Sequence, residues 1–469
     1  MFSDLKPYPE YKDSGQKWLG RVPQHWSALP NRAIFSEVKE RNHADEEMLS
    51  VTITRGVIRQ KDLLANSSKK DSSNENRSAY KLVCPNDFAY NKMRAWQGAI
   101  GVSEFRGIIS PAYVVMRLRD NHNPRYFHEL YRTPYFAKEA ERWSYGITSD
   151  MWSLRPEHYK MVYSIVPSRE EQDAIVRFLG YANGRIERAI RAKRKIIALL
   201  NEQKQVIIHR AVTQGVDSSA PLKPSGLPWL VEIPKQWEAR PLKQLLVRMD
   251  YGTSENARGH GKIRVLGMGQ IRDGKILIPQ SGSLDRVPEG LLVEKNDLLF
   301  NRTNSPELVG KVGLFEGNAA DEITFASYLV RLRARPEHSP IWLNYLLNST
   351  GFWSYARSQA LVSLHQANLN SSRYARMVLP VPPTRQEQET IVDAIRLQAG
   401  ALELAVSRVK REIELLREYR TRLVADVVTG QVDVRGVSIP DPAEMEAEEA
   451  PSTVETEAVE AEPAEQAIA

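Results

Sequence analysis

Two stretches of the chain carry the same hydrophobic spacing. From Ile175 an alternating four-three pattern passes through Leu179, Ala182, Ile186, Ala189, Lys193, Ile196, Leu200, Gln203 and Ile207. From Ile391 it passes through Ile395, Gln398, Leu402, Ala405, Val409, Glu412, Leu416, Tyr419 and Leu423. A stripe this long and narrow predicts a helix that must pair with another helix. Ser168 and Thr384 are N-cap candidates, each with a glutamate three residues on (Glu171, Glu387), the capping-box spacing. The two helices are expected over residues 168 to about 213 and 384 to about 429. At about 1.5 Å per residue, each makes a rod of roughly 65 Å. The polar seam positions Lys193, Gln203, Gln398 and Glu412 either fix register or meet another protein.

Outside the helices the pattern changes to short β-branched and aromatic runs bounded by Gly, Pro or Asp. Residues 48–54, 113–118, 275–278 and 327–332 read as strands. The expected class is α/β (α+β): two mixed α/β domains, each followed by a long helix, with the helices pairing as an antiparallel coiled coil.

These elements occur twice because the sequence does. Ser14-Gly15, Trp18-Leu19, Pro23 and Trp26 return 211 positions later as Ser225-Gly226, Trp229-Leu230, Pro234 and Trp237. Pro167 to Gln172 returns 216 positions later as Pro383 to Gln388, so the second half has gained five residues in between. A weaker echo links Asn86-Asp87 and Asn91 to Asn296-Asp297 and Asn301. The expected divisions are a first domain at 1–166, a spacer helix at 167–217, a second domain at 218–382, a second helix at 383–433 and a tail at 434–469.

Charge changes the picture next. The net charge is +6, but residues 441–469 hold ten acidic groups and no basic one, which leaves +16 on residues 1–440. The Ala/Glu/Pro-rich tail is expected to be disordered. The basic remainder points to a polyanion, most often nucleic acid. One cysteine, Cys84, excludes an internal disulfide and fits a reducing cytoplasm. No run of about 18 apolar residues suggests a membrane span.

Catalytic patterns are missing. Gly261-Lys262 lacks the other residues of a phosphate-binding loop, and Gly267-Met268-Gly269 lies in a β-rich stretch. The histidines show no metal-binding spacing. Glu37-Val38-Lys39 is half of a nuclease signature and is common in charged segments. No catalytic residue and no metal site is assigned.

Two loops in each half suit DNA. Asn91, Lys92, Arg94, Trp96 and Gln97 follow an apolar strand, and their counterparts are Asn301, Arg302, Asn304 and Ser305, closing on Lys311. Arg and Lys pair with guanine edges, Asn and Gln with adenine edges. The second loop holds Tyr145, Thr148 and Ser149 in the first half and Ser363, His365 and Gln366 in the other.

The duplicated Ser-Gly…Trp-Leu…Ile/Val-Pro…Trp openings, the Pro-x-x-x-Glu-Gln-x-x-Ile-Val helix starts and the Asn296–Asn304 stretch together resemble specificity (S) subunits of Type I restriction-modification systems. The resemblance covers about residues 8–435. It implies two target-recognition domains that read the halves of a split, asymmetric DNA site, with the helices setting the unread gap. It also implies two methyltransferase (M) subunits and restriction (R) subunits as partners. S-adenosylmethionine, ATP and magnesium would belong to those partners and not to this chain. Two other readings stay open: a coiled-coil scaffold without sequence-specific DNA binding, and a fused nuclease or methyltransferase.

Overall fold

The computed structural model describes residues 5–64, 77–119, 121–148, 151–257, 261–288, 290–317, 322–363 and 366–440. The acidic segment beyond 440, expected to be disordered, lies outside the described residues. The chain forms two compact units: Met1–Ala192 with Ile413–Ala469, and Lys193–Glu412.

In the first unit, Phe35–Val38, Tyr113–Leu118, Phe88–Asn91 and Ile100–Val102 form an antiparallel sheet in that spatial order. The expected strand at 113–118 is present over the same residues. The aromatic rings of Phe35, Phe88, Phe127, Tyr131 and Tyr159 interlock behind it at centroid separations of 5.2–6.0 Å. Helices Pro124–Tyr131 and Pro134–Arg142 follow, each opened by proline at its first turn and capped by Asn123 or Thr133. Proline's missing N–H costs nothing there, because that donor has no helical acceptor.

The second unit repeats this frame. Leu246–Tyr251, Leu329–Ala334, Leu298–Asn301 and Val312–Leu314 are neighbours in the same order, extended by Lys275–Ile276 and Ile271–Arg272. Helices Pro340–Leu347 and Thr350–Ser358 follow. The strand expected over 275–278 is shorter, and the one at 327–332 is Leu329–Ala334.

The same polar pairs recur in both frames. Asn86 and Asn296 turn the chain through positive φ (72° and 74°), a conformation asparagine tolerates better than most residues. The following Asp87 and Asp297 are buried and accept two bonds each, from Arg117 (2.7 and 2.8 Å) and Arg333 (2.7 and 2.9 Å). Gln172 joins His122 and the Asn123 N–H, and Gln388 joins His338 and the Ser339 N–H. The E-x-K glutamate Glu37 pairs with Lys160 and Lys39 at 2.9 and 3.3 Å. Burial opposes its ionisation, but the two ammonium groups outweigh that and hold its carboxyl below the usual range.

The long helices are Arg169–Gln214 and Arg385–Val428. They pack antiparallel within each unit. Glu187 meets Arg420 in the first unit; Lys193 meets Glu412, and Lys204 meets Glu403 at 3.2 Å, in the second. The seam departs from the expected heptads. At eleven-residue intervals Ile175, Ile186 and Ile208 are buried and Ile197 is half-buried, and on the other helix Ile391 and Ile413 are buried and Leu402 is half-buried. Ile190 is 2% exposed whereas Ile196 is 44% exposed, and Ala399 and Ile413 replace Gln398 and Glu412. An α-helix turns every 3.6 residues, so a strict 3.5-residue pattern drifts off the seam within a few turns. An eleven-residue repeat follows the helix more closely. Of the four expected polar seam positions, Gln203, Gln398 and Glu412 are exposed, and Lys193 is half-buried.

The capping boxes are also half-formed. The Ser168 and Thr384 hydroxyls accept from the Glu171 and Glu387 N–H groups, as expected. The glutamate carboxylates turn instead to the Trp/Pro segments. Glu171 accepts from the Tyr8 hydroxyl at 2.7 Å and meets His25 at 2.9 Å, while Glu387 accepts from the Trp237 indole at 2.7 Å. The duplicated Trp26 and Trp237 are fully buried. The sequence repeat is therefore a docking device, fixing each Trp/Pro segment to the start of its helix.

Candidate nucleic-acid interface

In the first unit the strand Phe88–Asn91 runs into a tight turn through Ala95–Gln97, ended by Gly98 at φ 94°. The Asn91 carboxamide accepts from the Met93 N–H, and the Arg94 guanidinium donates to Gln97 Oε1 at 2.9 Å. The Trp96 indole donates to the Met93 carbonyl. Lys92, Arg94, Trp96 and Gln97 remain partly open to solvent.

The second expected loop lies beside it. Tyr145 and Ser153 exchange backbone bonds at 3.4 and 3.1 Å, closing a hairpin turned by the Met151 N–H donating to the Thr148 carbonyl. The Leu154 N–H donates to the Lys92 carbonyl at 2.9 Å, and the Trp152 ring meets the Trp96 ring edge-on at 5.4 Å. Tyr145 and Thr148 are exposed, and Ser149 lies outside the described residues.

The second unit has the same junction. The Leu369 N–H donates to the Arg302 carbonyl at 2.8 Å, the counterpart of the bond from Leu154 to Lys92. Thr303 and Asn304 pair with Asn368 and Ala367, and Leu361–Ser363 pairs with Gln366–Asn368 as a hairpin. Ser363 and Gln366 are exposed, and His365 lies outside the described residues. Loops about 55–70 residues apart in sequence thus meet in each unit.

Three of the sequence candidates are placed differently from the others. Asn301 is 1% exposed and donates from its amide to the Met268 carbonyl. Asn304 is buried, and its carboxamide accepts from the Ser305 N–H at 2.8 Å. Ser305 in turn accepts at its carbonyl from the Leu308 and Val309 N–H groups. These residues shape the turn. The two cations are half-buried over aromatic rings. The Arg302 guanidinium lies over Tyr251 at 5.2 Å, and the Lys311 ammonium lies over Trp353 at 5.0 Å.

Sequence reasoning missed Arg357, which covers the same Trp353 ring at 4.9 Å, and Tyr251, whose hydroxyl meets Ser371. The i, i+4 spacing of Trp353 and Arg357 on a helix was an available signal. Among the described residues, Lys92, Arg94, Arg302 and Lys311 form no ion pair with a carboxylate. Cations without counter-charges, beside aromatic rings and exposed amides, suit a polyanion that presents flat bases.

No family model matches the chain. A curated relative from Methanocaldococcus jannaschii, described as a specificity subunit of the type I restriction enzyme MjaX, is 23% identical over 203 residues. That match covers 42% of this chain and 47% of the relative, so it spans less than half of the relative's length. This chain is similar to a type I specificity subunit.

Its fold is that of a chain solved in work on the complex assembly and conformational transition of a type I R-M system. The TM-score is 0.57 at 14% identity, over 87% of this chain and 98% of the other. The HsdS subunit from Thermoanaerobacter tengcongensis superposes less closely, at a TM-score of 0.42 and 16% identity over 88% and 98% of the two chains.

Proposed function

We propose that this chain is the non-catalytic DNA-recognition subunit of a type I restriction-modification complex. Each unit reads one part of a bipartite, asymmetric duplex site, and the paired helices set the unread gap. The observation that carries this reading is the recurrence, in both units, of two loops joined by the same backbone bond, with cations that have no carboxylate partner among the described residues. The excess of +16 on residues 1–440 favours phosphate binding.

The chain would dock two methyltransferase subunits and the restriction subunits. S-adenosylmethionine, ATP and magnesium serve those subunits. A surface for protein partners is available along the helices, where Ile196, Leu199, Val206, Leu397 and Leu404 are 44–79% exposed. Stripes of this kind on long helices favour partner docking over solvent.

The test is selection of binding sites from a randomised duplex pool by the purified chain at fixed salt. The expected product is two short, different consensus sequences at a constant separation, with affinity falling steeply as salt rises. Salt-dependent binding without sequence preference would overturn the reading. So would methyl transfer or cleavage by this chain alone, supplied with magnesium and S-adenosylmethionine.

A further inference from the structure

The hairpin of the first unit holds a large apolar side chain out in water. Ile147 is 90% exposed, more than any other large hydrophobic among the described residues, and Tyr145 and Met151 beside it are 57% and 48% exposed. The hairpin's stem is closed by the Tyr145–Ser153 pair, and a Cβ on Gly146 would lie 2.5 Å from the Met151 backbone. Below the stem, Tyr145 packs on His158 at 5.0 Å and Trp152 on Trp96.

The hairpin of the second unit does the same by different residues. Leu361 and Val362 are 73% and 62% exposed on a strand held by the pairing of Gln366–Asn368 with Thr303 and Asn304. Each exposed apolar group therefore rises from the loop pair whose cations, Lys92 and Arg94 in one unit and Arg302 and Lys311 in the other, form no ion pair with a carboxylate among the described residues.

This juxtaposition argues for one occupant. A protein partner with an apolar groove would not call for uncompensated cations around the tip. A DNA duplex accepts both: phosphates take the cations, and the only apolar interior it offers is the space between stacked base pairs. Isoleucine and leucine are among the side chains that proteins drive into such steps, unstacking them and kinking the helix.

Resting on the reading of this chain as a DNA-recognition subunit, we propose that Ile147 in the first unit and Leu361, the more exposed of the two strand residues, in the second are wedges. Each inserts at one base step of its half-site. Part of the specificity is then indirect, since pyrimidine–purine steps open at lower cost than others.

The experiment uses the full chain and the duplex recovered by site selection, with 2-aminopurine placed in turn at each adenine position. Binding of the unaltered chain is expected to raise emission at one position in each half-site. Ile147→Ser should abolish the rise in one half-site only and weaken binding by about tenfold. Ile147→Phe, which keeps an apolar wedge, should restore both. Leu361→Ser should silence the other half-site only.

Sequence-specific binding with no emission change anywhere would overturn the wedges while leaving the recognition reading intact. Emission unchanged by Ile147→Ser would overturn the assignment to Ile147, even if that variant bound a methyltransferase subunit less tightly. Absence of salt-dependent DNA binding by the unaltered chain would instead remove the reading on which the wedges rest.

Discussion

Replacing Arg302 with alanine separates base reading from phosphate binding. The backbone at this position is held on both sides, with the Arg302 N–H donating to the Tyr328 carbonyl and its own carbonyl accepting from Leu369. Truncating the side chain leaves both bonds in place. Among the described residues the guanidinium lies over the Tyr251 ring, 5.2 Å away, and pairs with no carboxylate. Loss of that contact costs about 0.5–1 kcal/mol of stability, too little to unfold the unit. Bidentate reading of a guanine is worth about 1–3 kcal/mol against the wrong base, or roughly a 5- to 160-fold change in Kd. Competition anisotropy with single-base variants of the selected site measures this. Arg302→Ala should flatten the preference at one base of one half-site and leave the other half-site alone. A uniform loss over all sequences, with the salt slope reduced by about one, would identify a phosphate contact. An unchanged affinity and slope would refute placement of Arg302 at the interface.

Four further outcomes follow from the geometry. Lys92→Ala should weaken binding with a smaller salt slope if that ammonium neutralises a phosphate; an unchanged slope in salt titrations would exclude it. Asp297→Asn strips Arg333 of a buried, two-bond partner and should cost about 3 kcal/mol in urea unfolding; less than about 1 kcal/mol would refute the role of that pair. His128 accepts from the Val102 N–H at 3.2 Å and has its pKa lowered from 6.5 to about 3, by burial first and then by Arg132 and Arg125. The unfolded chain therefore binds the extra proton as pH falls below 6.5, and stability is lost from there toward pH 3. Linkage sets a ceiling of about 1.4 kcal/mol per pH unit; the ring keeps some contact with solvent, so about half of that is expected between pH 6.5 and 4.5, visible as a steeper pH dependence of the urea midpoint than in His128→Gln. Lengthening the first long helix after Leu200 should change the gap between the two selected consensus sequences and leave the sequences themselves unchanged; altered half-sites would argue against a spacer role.

The helices and the strand at Tyr113–Leu118 were legible in the sequence because their signals are local: side-chain period, cap residues and a β-branched run. The seam was legible only in part. Counting by four and three picked Ile196 and Gln398, whereas the neighbouring Ile197 is half-buried and Ala399 buried, because a strict 3.5-residue period departs from the turn of the helix. The Asn-Asp dipeptides stood out, but nothing near them names Arg117 or Arg333, which lie 30 and 36 residues away. Applying the 216-residue offset to polar residues would have found Gln172 with His122 and Gln388 with His338. The candidate loops were located by residue type, which says that Asn and Arg can bind bases but not which way they point. Hence Asn301 and Arg302, adjacent in sequence, fall on opposite sides of that question.

The contrast between frame and loops explains how one duplicated gene segment can serve two different half-sites. In the frame, each repeated polar pair has a buried member, Asp87 and Asp297 at 2% and 1% exposure and Gln172 and Gln388 at 0%. Losing one partner of such a pair costs several kcal/mol, a large fraction of the stability of an ordinary domain. In the loops the two units hold unlike side chains on the same scaffold: Trp96 where the second unit has no aromatic counterpart in the turn, and Ile147 where it has Leu361 and Val362. Ile147, Leu361 and Val362 are solvent-facing and have few partners to lose. Substitution there changes stability little and can change what is bound a great deal. A unit built in this way retains its fold while its loops diverge, and two such units on one chain can read two unrelated sequences.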